Sequence, residues 1–176
     1  MRTASEIPNS RRFVLDNIRL HGSSTSAAGL SFDEDGLALA RLMVADGRIS
    51  GIEPGGGTAV TDAVDGGGGI VLPTFVDCHT HLDKGHIWPR KPNPDGTFAG
   101  ALSSVGEDRI GRWSAEDVAR RMDFGIRCAY AHGTSSIRTH LDSIAPQEAI
   151  SWPVFSEMRS RWKGRVDLQA VSLVGI

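Results

Sequence analysis

Two histidines one residue apart, His79 and His81, stand at the end of an apolar run in Val71–Gly85, VLPTFVDCHTHLDKG. In an extended chain, residues i and i+2 point to one face with Cα atoms roughly 6.5 Å apart, so both imidazoles can reach one ion at about 2.0–2.1 Å per nitrogen. The same spacing also suits two structural histidines at a strand end. Asp83 keeps their parity, whereas Cys78, Thr80 and Leu82 face the other way, where packing against a helix is expected. A second group stands in RTHLD. There Arg138, His140 and Asp142 alternate, so all three can point into the same mouth. His140 and Asp142 suit either the outer hydrogen-bond partners of a metal-bound imidazole or a satisfied histidine and an Arg–Asp pair. Lys84 lies near that mouth or in solvent. His21, His86 and His132 fall in loops or at a helix end and receive no role.

The element that must hold the pair is the strand predicted in IVLPTFVDCHTH. DGGGG, Asp65–Gly69, reads as a flexible or tightly bent junction before it. It lacks the spacing of a phosphate-binding loop and the helix that should follow one. Lys84 to Trp113 is predicted to be a long loop, because the prolines of WPRKPNPDG oppose regular structure. Ser114 then caps a helix, with Asp117 as its capping-box partner. Val118, Met122, Ile126, Ala129 and Tyr130 form its apolar stripe, and Gly133 is placed to end it. A second strand over Ser135–Asp142 precedes a helical segment interrupted or restarted at Pro153, with Ser151 as cap and Phe155, Met158 and Trp162 on its apolar side. Gly164 stops that segment, and VDLQAVSLVGI is a third strand. Strands alternating with helices predict a parallel sheet covered by helices. The histidine pair then lies at a strand's carboxyl end before a long loop, where α/β barrels place their chemistry.

Upstream, residues 1–11 read as a polar, mobile tail and residues 12–68 as a small β-unit. RFVLDNIRL is strand-like, and LALARLMVADGRISGI is a hairpin turning at Asp46-Gly47, which supplies the positive φ angles of a two-residue turn. Residues 69–176 form the second domain.

Composition narrows the partners. The 176 residues are 40% hydrophobic and 23% charged, with a net charge of −2 and no basic run, so neither nucleic acid nor another polyanion is an expected partner. No stretch approaches the ~20 apolar residues that span a bilayer, and MRTASEIPNSRR lacks a secretory apolar core, so no membrane role and a cytoplasmic address are expected. The two cysteines, Cys78 and Cys128, are expected to be reduced core thiols.

In order and spacing, the DGRI hairpin, the glycine-rich approach and the VLPTFVDCHTHLDK strand resemble the opening of the amidohydrolase superfamily. HTHLDK, IRTHLD and DLQAVSL together resemble its cytosine deaminase branch, which includes isopropylammelide amidohydrolases. The resemblance runs from about Phe13 to Ile176. It implies an α/β fold, a (β/α)₈ barrel of which this chain holds strands 1–3, beside a small β-sandwich.

It further implies one divalent metal, zinc or iron, with His79 and His81 as two of its ligands. Metal-activated water would deaminate a small heterocyclic amine or open a cyclic amide. The other ligands and the general acid/base are expected beyond Ile176, so the catalytic residues are not in this chain. Further candidates, for substrate or outer-partner roles, are Asp83, Lys84, His140 and Asp142. The branch's base-reading glutamine is replaced in the neighbourhood of Val174 and Gly175, which argues against cytosine itself.

A barrel takes roughly 200 residues or more. The chain is therefore expected to be the N-terminal portion of an enzyme, a truncated product or the ordered part of something longer, with a homo-oligomer or a complementing C-terminal segment to cover its open strand edge. Two alternatives stand beside this reading. One is a non-catalytic remnant or assembly subunit, and the other is a two-metal cyclic amidase of the dihydroorotase or hydantoinase type.

Overall fold

A computed structural model describes residues 2–3, 7–8, 10–58 and 60–174. The chain divides into two units, Met1–Pro73 and Thr74–Ile176.

In the first unit, β1 (Arg2–Thr3), β2 (Arg12–His21), β3 (Leu37–Ala45), β4 (Arg48–Pro54) and β5 (Val64–Ile70) make one sheet in the order β1-β5-β2-β3-β4. The β3–β4 hairpin turns at Asp46 and Gly47, with φ of 53° and 74°, as the Asp-Gly pair requires. Two expectations change here. The glycine run is part of β5, paired parallel to β2, and not a flexible junction. Gly66 makes that approach feasible: a Cβ there would stand 2.3 Å from Ile18 Cγ2. With the glycines inside the sheet, the break between units falls after Pro73, not after Gly68. Within the expected tail, Arg2–Thr3 pair with Val64–Asp65 as a short edge strand. Ile18, Leu20, Ala40 and Leu42 form the core. Beside it, Arg41 and Asp16 form a largely buried ion pair at 2.8 Å, which holds the Asp16 carboxyl below the usual carboxylate range.

The second unit holds β6 (Phe75–Thr80), α1 (Phe98–Arg112), α2 (Ala115–Ala131), β7 (Thr134–Asp142), α3 (Glu148–Arg161) and β8 (Asp167–Leu173). Its three strands are parallel, in the order β6-β7-β8. Ser114 Oγ accepts the Asp117 N–H at 3.2 Å, the expected cap of α2, and Gly133 follows the helix at φ 88°. Val118, Met122 and Ile126 of α2 pack with Ile137 and Leu141 of β7, Leu168 of β8, and Val154, Phe155 and Met158 of α3. One face of the sheet is thereby covered. Tyr130 leaves the stripe and is about half exposed.

Two helices differ from expectation. Helix α1 occupies the second half of the predicted loop. Its periodicity is hidden because the residues it buries are polar, Ser104 and Asp108. Thr97 caps it, accepting the Gly100 N–H at 3.0 Å. Helix α3 runs through Pro153 without interruption. Proline removes one ladder hydrogen bond there, but Val154, Phe155 and Met158 are all buried around it, and packing rather than propensity decides the helix. Among the described residues, no helix is long and apolar enough to cross a membrane.

Candidate active site

The parallel strands bring the carboxyl ends of β6 and β7 side by side, and three imidazoles meet there. The ring centroids of His79 and His81 are 5.3 Å apart, those of His81 and His140 are 5.5 Å apart, and His79 stacks on His140 at 4.2 Å. A bulge sets this arrangement. Between Asp77 and Thr80, β6 contains one residue more than β7 between Ile137 and Thr139. The extra residue resets the alternation, as bulges beside functional sites commonly do. Consequently Cys78 is exposed, lining a cleft with Val76, Ser136 and Arg138, and is not packed against a helix as expected. Cys128 is only partly buried, so neither thiol belongs to the core.

Burial, and then the nearby Lys84 ammonium, push the His81 imidazole below its usual pKa, which favours the neutral ring at pH 7. His81 Nδ1 lies 3.2 Å from the His140 carbonyl oxygen. A carbonyl can only accept, so Nδ1 carries the proton and Nε2 keeps a lone pair. This is the form in which imidazole binds divalent metals, with the second nitrogen held by an outer partner. His140 Nδ1 is also buried without a hydrogen-bond partner among the described residues. These donors fit a divalent ion. They do not complete its shell, because among the described residues no three His, Cys, Asp or Glu side chains converge as a metal cage.

Asp83 leaves the face expected of it. Beyond Thr80 the chain turns, Gly85 N–H donating to the His81 carbonyl at 3.0 Å, and Asp83 becomes fully buried. Its Oδ2 accepts the Asp142 N–H at 2.8 Å, its Oδ1 has no partner among the described residues, and burial pushes its carboxyl pKa up. Asp142, at the end of β7, accepts from Lys84 Nζ at 2.8 Å and from Arg109 Nη1 at 3.0 Å. Lys84 is therefore paired and partly buried, not a free surface lysine. Arg138 does not reach Asp142. Its guanidinium donates to Gln169 Oε1 at 3.0 and 3.3 Å.

Arg109 was missed because its helix reads as loop. The available signal was Thr97 followed by a proline-free stretch to Arg112. A further group holds the connection after β6 in place. Arg90 donates to Asp108 at 2.7 to 3.2 Å and to Asp117 at 2.6 and 2.9 Å, while Trp113 Nε1 donates to Asp108 at 2.8 Å. Arg90, followed by Arg121, lowers the Asp117 carboxyl to about 2. Arg121 in turn donates to the Asp83 and Gly85 carbonyls.

No family model matches the sequence. A curated pterin deaminase from Rhizobium rhizogenes (strain K84 / ATCC BAA-868) is 53% identical over 168 residues, which cover 94% of this chain and 38% of that protein. The crystal structure of a 5-methylcytosine deaminase from Klebsiella pneumoniae, liganded with 5-fluorocytosine, superposes with a TM-score of 0.70 at 25% identity, covering 91% of this chain and 36% of that one. These relatives are of the amidohydrolase superfamily, and the chain is similar to their N-terminal part. An N-isopropylammelide isopropyl amidohydrolase from Pseudomonas sp. (strain ADP) is a more distant amidohydrolase relative, 28% identical over 143 residues, or 75% of this chain and 32% of that protein. The chain thus spans about a third of the length of the curated relatives it matches, 38% and 32%. Of the positions that argue against cytosine, Val174 follows the end of β8 and is exposed, and Gly175 lies outside the described residues.

Proposed function

We propose that this chain forms the N-terminal part of a metal-dependent deaminase that replaces the exocyclic amine of a heterocycle by oxygen, in the cytoplasm, with pterins as the substrate class. The observation that carries the reading is the gathering of His79, His81 and His140 at the carboxyl end of a parallel sheet. The substrate class rests on the 53% identity to a pterin deaminase over nearly the whole chain. In the reaction, water adds to the ring carbon bearing the amine, the C–N bond breaks, and ammonia leaves as the carbonyl forms.

His79 and His81 would hold one divalent ion, zinc or iron, and such an ion supplies Lewis-acid activation of water near neutral pH. The neutral form of His81 and its Nδ1 contact suit it to that role. Lys84 and Arg109 neutralise Asp142 beside the imidazoles, which keeps an unpaired carboxylate out of the mouth. The three strands would open a (β/α)₈ barrel and the first unit would contribute to a β-sandwich, with a complementing C-terminal segment covering the exposed Phe75 and Val76.

The test isolates the native product through an N-terminal tag and measures its mass, its metal by plasma mass spectrometry, and ammonia release from pterin. A product longer than 176 residues, with about one metal per chain and pterin turnover, is expected. The His79→Ala, His81→Ala double variant should lose the metal and the activity together. Unchanged metal content in that variant, or a 176-residue product that deaminates on its own, would overturn the reading.

A further inference from the structure

The backbone ladder between β6 and β7 ends at Thr80 opposite Thr139. Beyond it, the next four residues of the β6 segment are each bonded to β7 through a side chain. His81 Nδ1 donates to the His140 carbonyl at 3.2 Å, and the Leu82 N–H donates to Thr139 Oγ1 at 2.9 Å. Asp83 Oδ2 accepts the Asp142 N–H at 2.8 Å, and Lys84 Nζ donates to Asp142 Oδ1 at 2.8 Å. Thr139 and Asp83 are both fully buried, so the bonds made by their side chains form out of water, where a lost partner is costly. A strand that ends normally releases its chain at once. Here side chains extend the pairing through the turn that carries the second histidine.

We infer that this side-chain stitch is a positioning device for His81 and that Thr139 is its main positioning residue. The inference rests on the metal reading above for its functional meaning, but its structural content stands on the four bonds. The hydroxyl of Thr139 is the only side-chain acceptor in the set that takes a backbone N–H of the β6 segment, and it takes the one directly after His81. With Leu82 held there, the His81 ring stays at the His140 carbonyl and keeps its proton on Nδ1, so the Nε2 lone pair faces outward. Without that anchor, the peptide after His81 can rotate, the Nδ1 contact is lost, and the ring samples both tautomers. Leu82 adds a second hold, because its side chain is buried in the core among α2 and β7 residues.

The test compares wild type, Thr139→Val and Thr139→Ser in the 176-residue chain. Valine keeps the shape and removes the acceptor, whereas serine restores it. Nitrogen-15 NMR of the metal-free chain above pH 7 reads the His81 tautomer, and competition with a fluorescent chelator reads zinc affinity. Wild type and Thr139→Ser are expected to show protonated Nδ1. Thr139→Val should show a mixture of tautomers and bind zinc about 10-fold more weakly, the usual size of an outer-partner effect.

Should Thr139→Val fail to fold, Lys84→Met releases the outermost bond at a less buried site and should shift the tautomer readout in the same direction. A wild-type His81 protonated on Nε2, or a folded Thr139→Val chain with wild-type tautomer and affinity, would overturn the inference. The metal reading fails separately: the native product would show the Nδ1 tautomer, valine would disturb it, and neither protein would bind zinc.

Discussion

At the scale of single residues, charge and hydrogen bonding around the site are tightly balanced, and Arg90 is the clearest case. It is the shared partner of two largely buried carboxylates, Asp108 and Asp117. Removing it leaves Asp108 with the Trp113 N–H but no cation among the described residues, and Asp117 with Arg121 alone, and the cost of breaking such pairs comes mainly from the uncompensated charge left behind. Arg90→Ala is expected to destabilise the second unit by about 3 kcal/mol, read as a lower urea midpoint at unchanged slope. A variant within about 0.5 kcal/mol of wild type would show that water solvates those carboxylates after all. The pH dependence follows from the same group. Asp117 lies at about 2 in the folded chain, below its unfolded value of about 3.9, so its contribution is complete above pH 4. That contribution is lost as pH falls toward 2. Acid titration followed by tryptophan fluorescence should therefore show stability falling between about pH 4 and 2, and Asp117→Asn should flatten that limb.

At the scale of elements, the glycine-rich strand and the bulged strand show how local exceptions place a site. Gly66 lets β5 pass against Ile18 of β2, which a side chain would prevent. Gly66→Ala is expected to cost about 1–3 kcal/mol through overpacking, with Gly57→Ala, where a Cβ meets nothing, as the neutral control. Equal thermal midpoints for the two variants would remove this account. In β6 the extra residue matters for chemistry rather than stability. Strict alternation would have kept Cys78 and His79 on opposite faces, whereas the bulge leaves both exposed and lets His79 stack on His140.

At the scale of the whole molecule, the second unit buries one face of its sheet under helices and leaves apolar side chains uncovered elsewhere. Phe75 and Val76 of β6 and Val171 of β8 are exposed, on the two outer strands of the sheet. Unpaired strand edges carrying apolar residues favour association. The isolated chain is expected to bind an apolar dye and to self-associate with rising concentration in light scattering. Val76→Lys should reduce both by at least half, because a charge on an edge strand opposes pairing. A monodisperse, dye-silent chain would mean that those surfaces are covered in solution.

What the residues determined by themselves is local and periodic. The Asp-Gly turn, the Ser114 cap and the apolar stripe of α2 follow from φ preference, from capping and from 3.6-residue spacing, which act over a few residues. The histidine pair and its place at a strand end were legible for the same reason. Tertiary structure decided the rest, because the deciding partner lay far away in the chain. Helix α1 buries polar residues against the Arg90 connection, α3 survives its proline through packing, and the glycine run becomes a strand only beside β2. The bulge that brings Cys78 and His79 to one face exists only as a difference in register between β6 and β7, and no reading of β6 alone contains it.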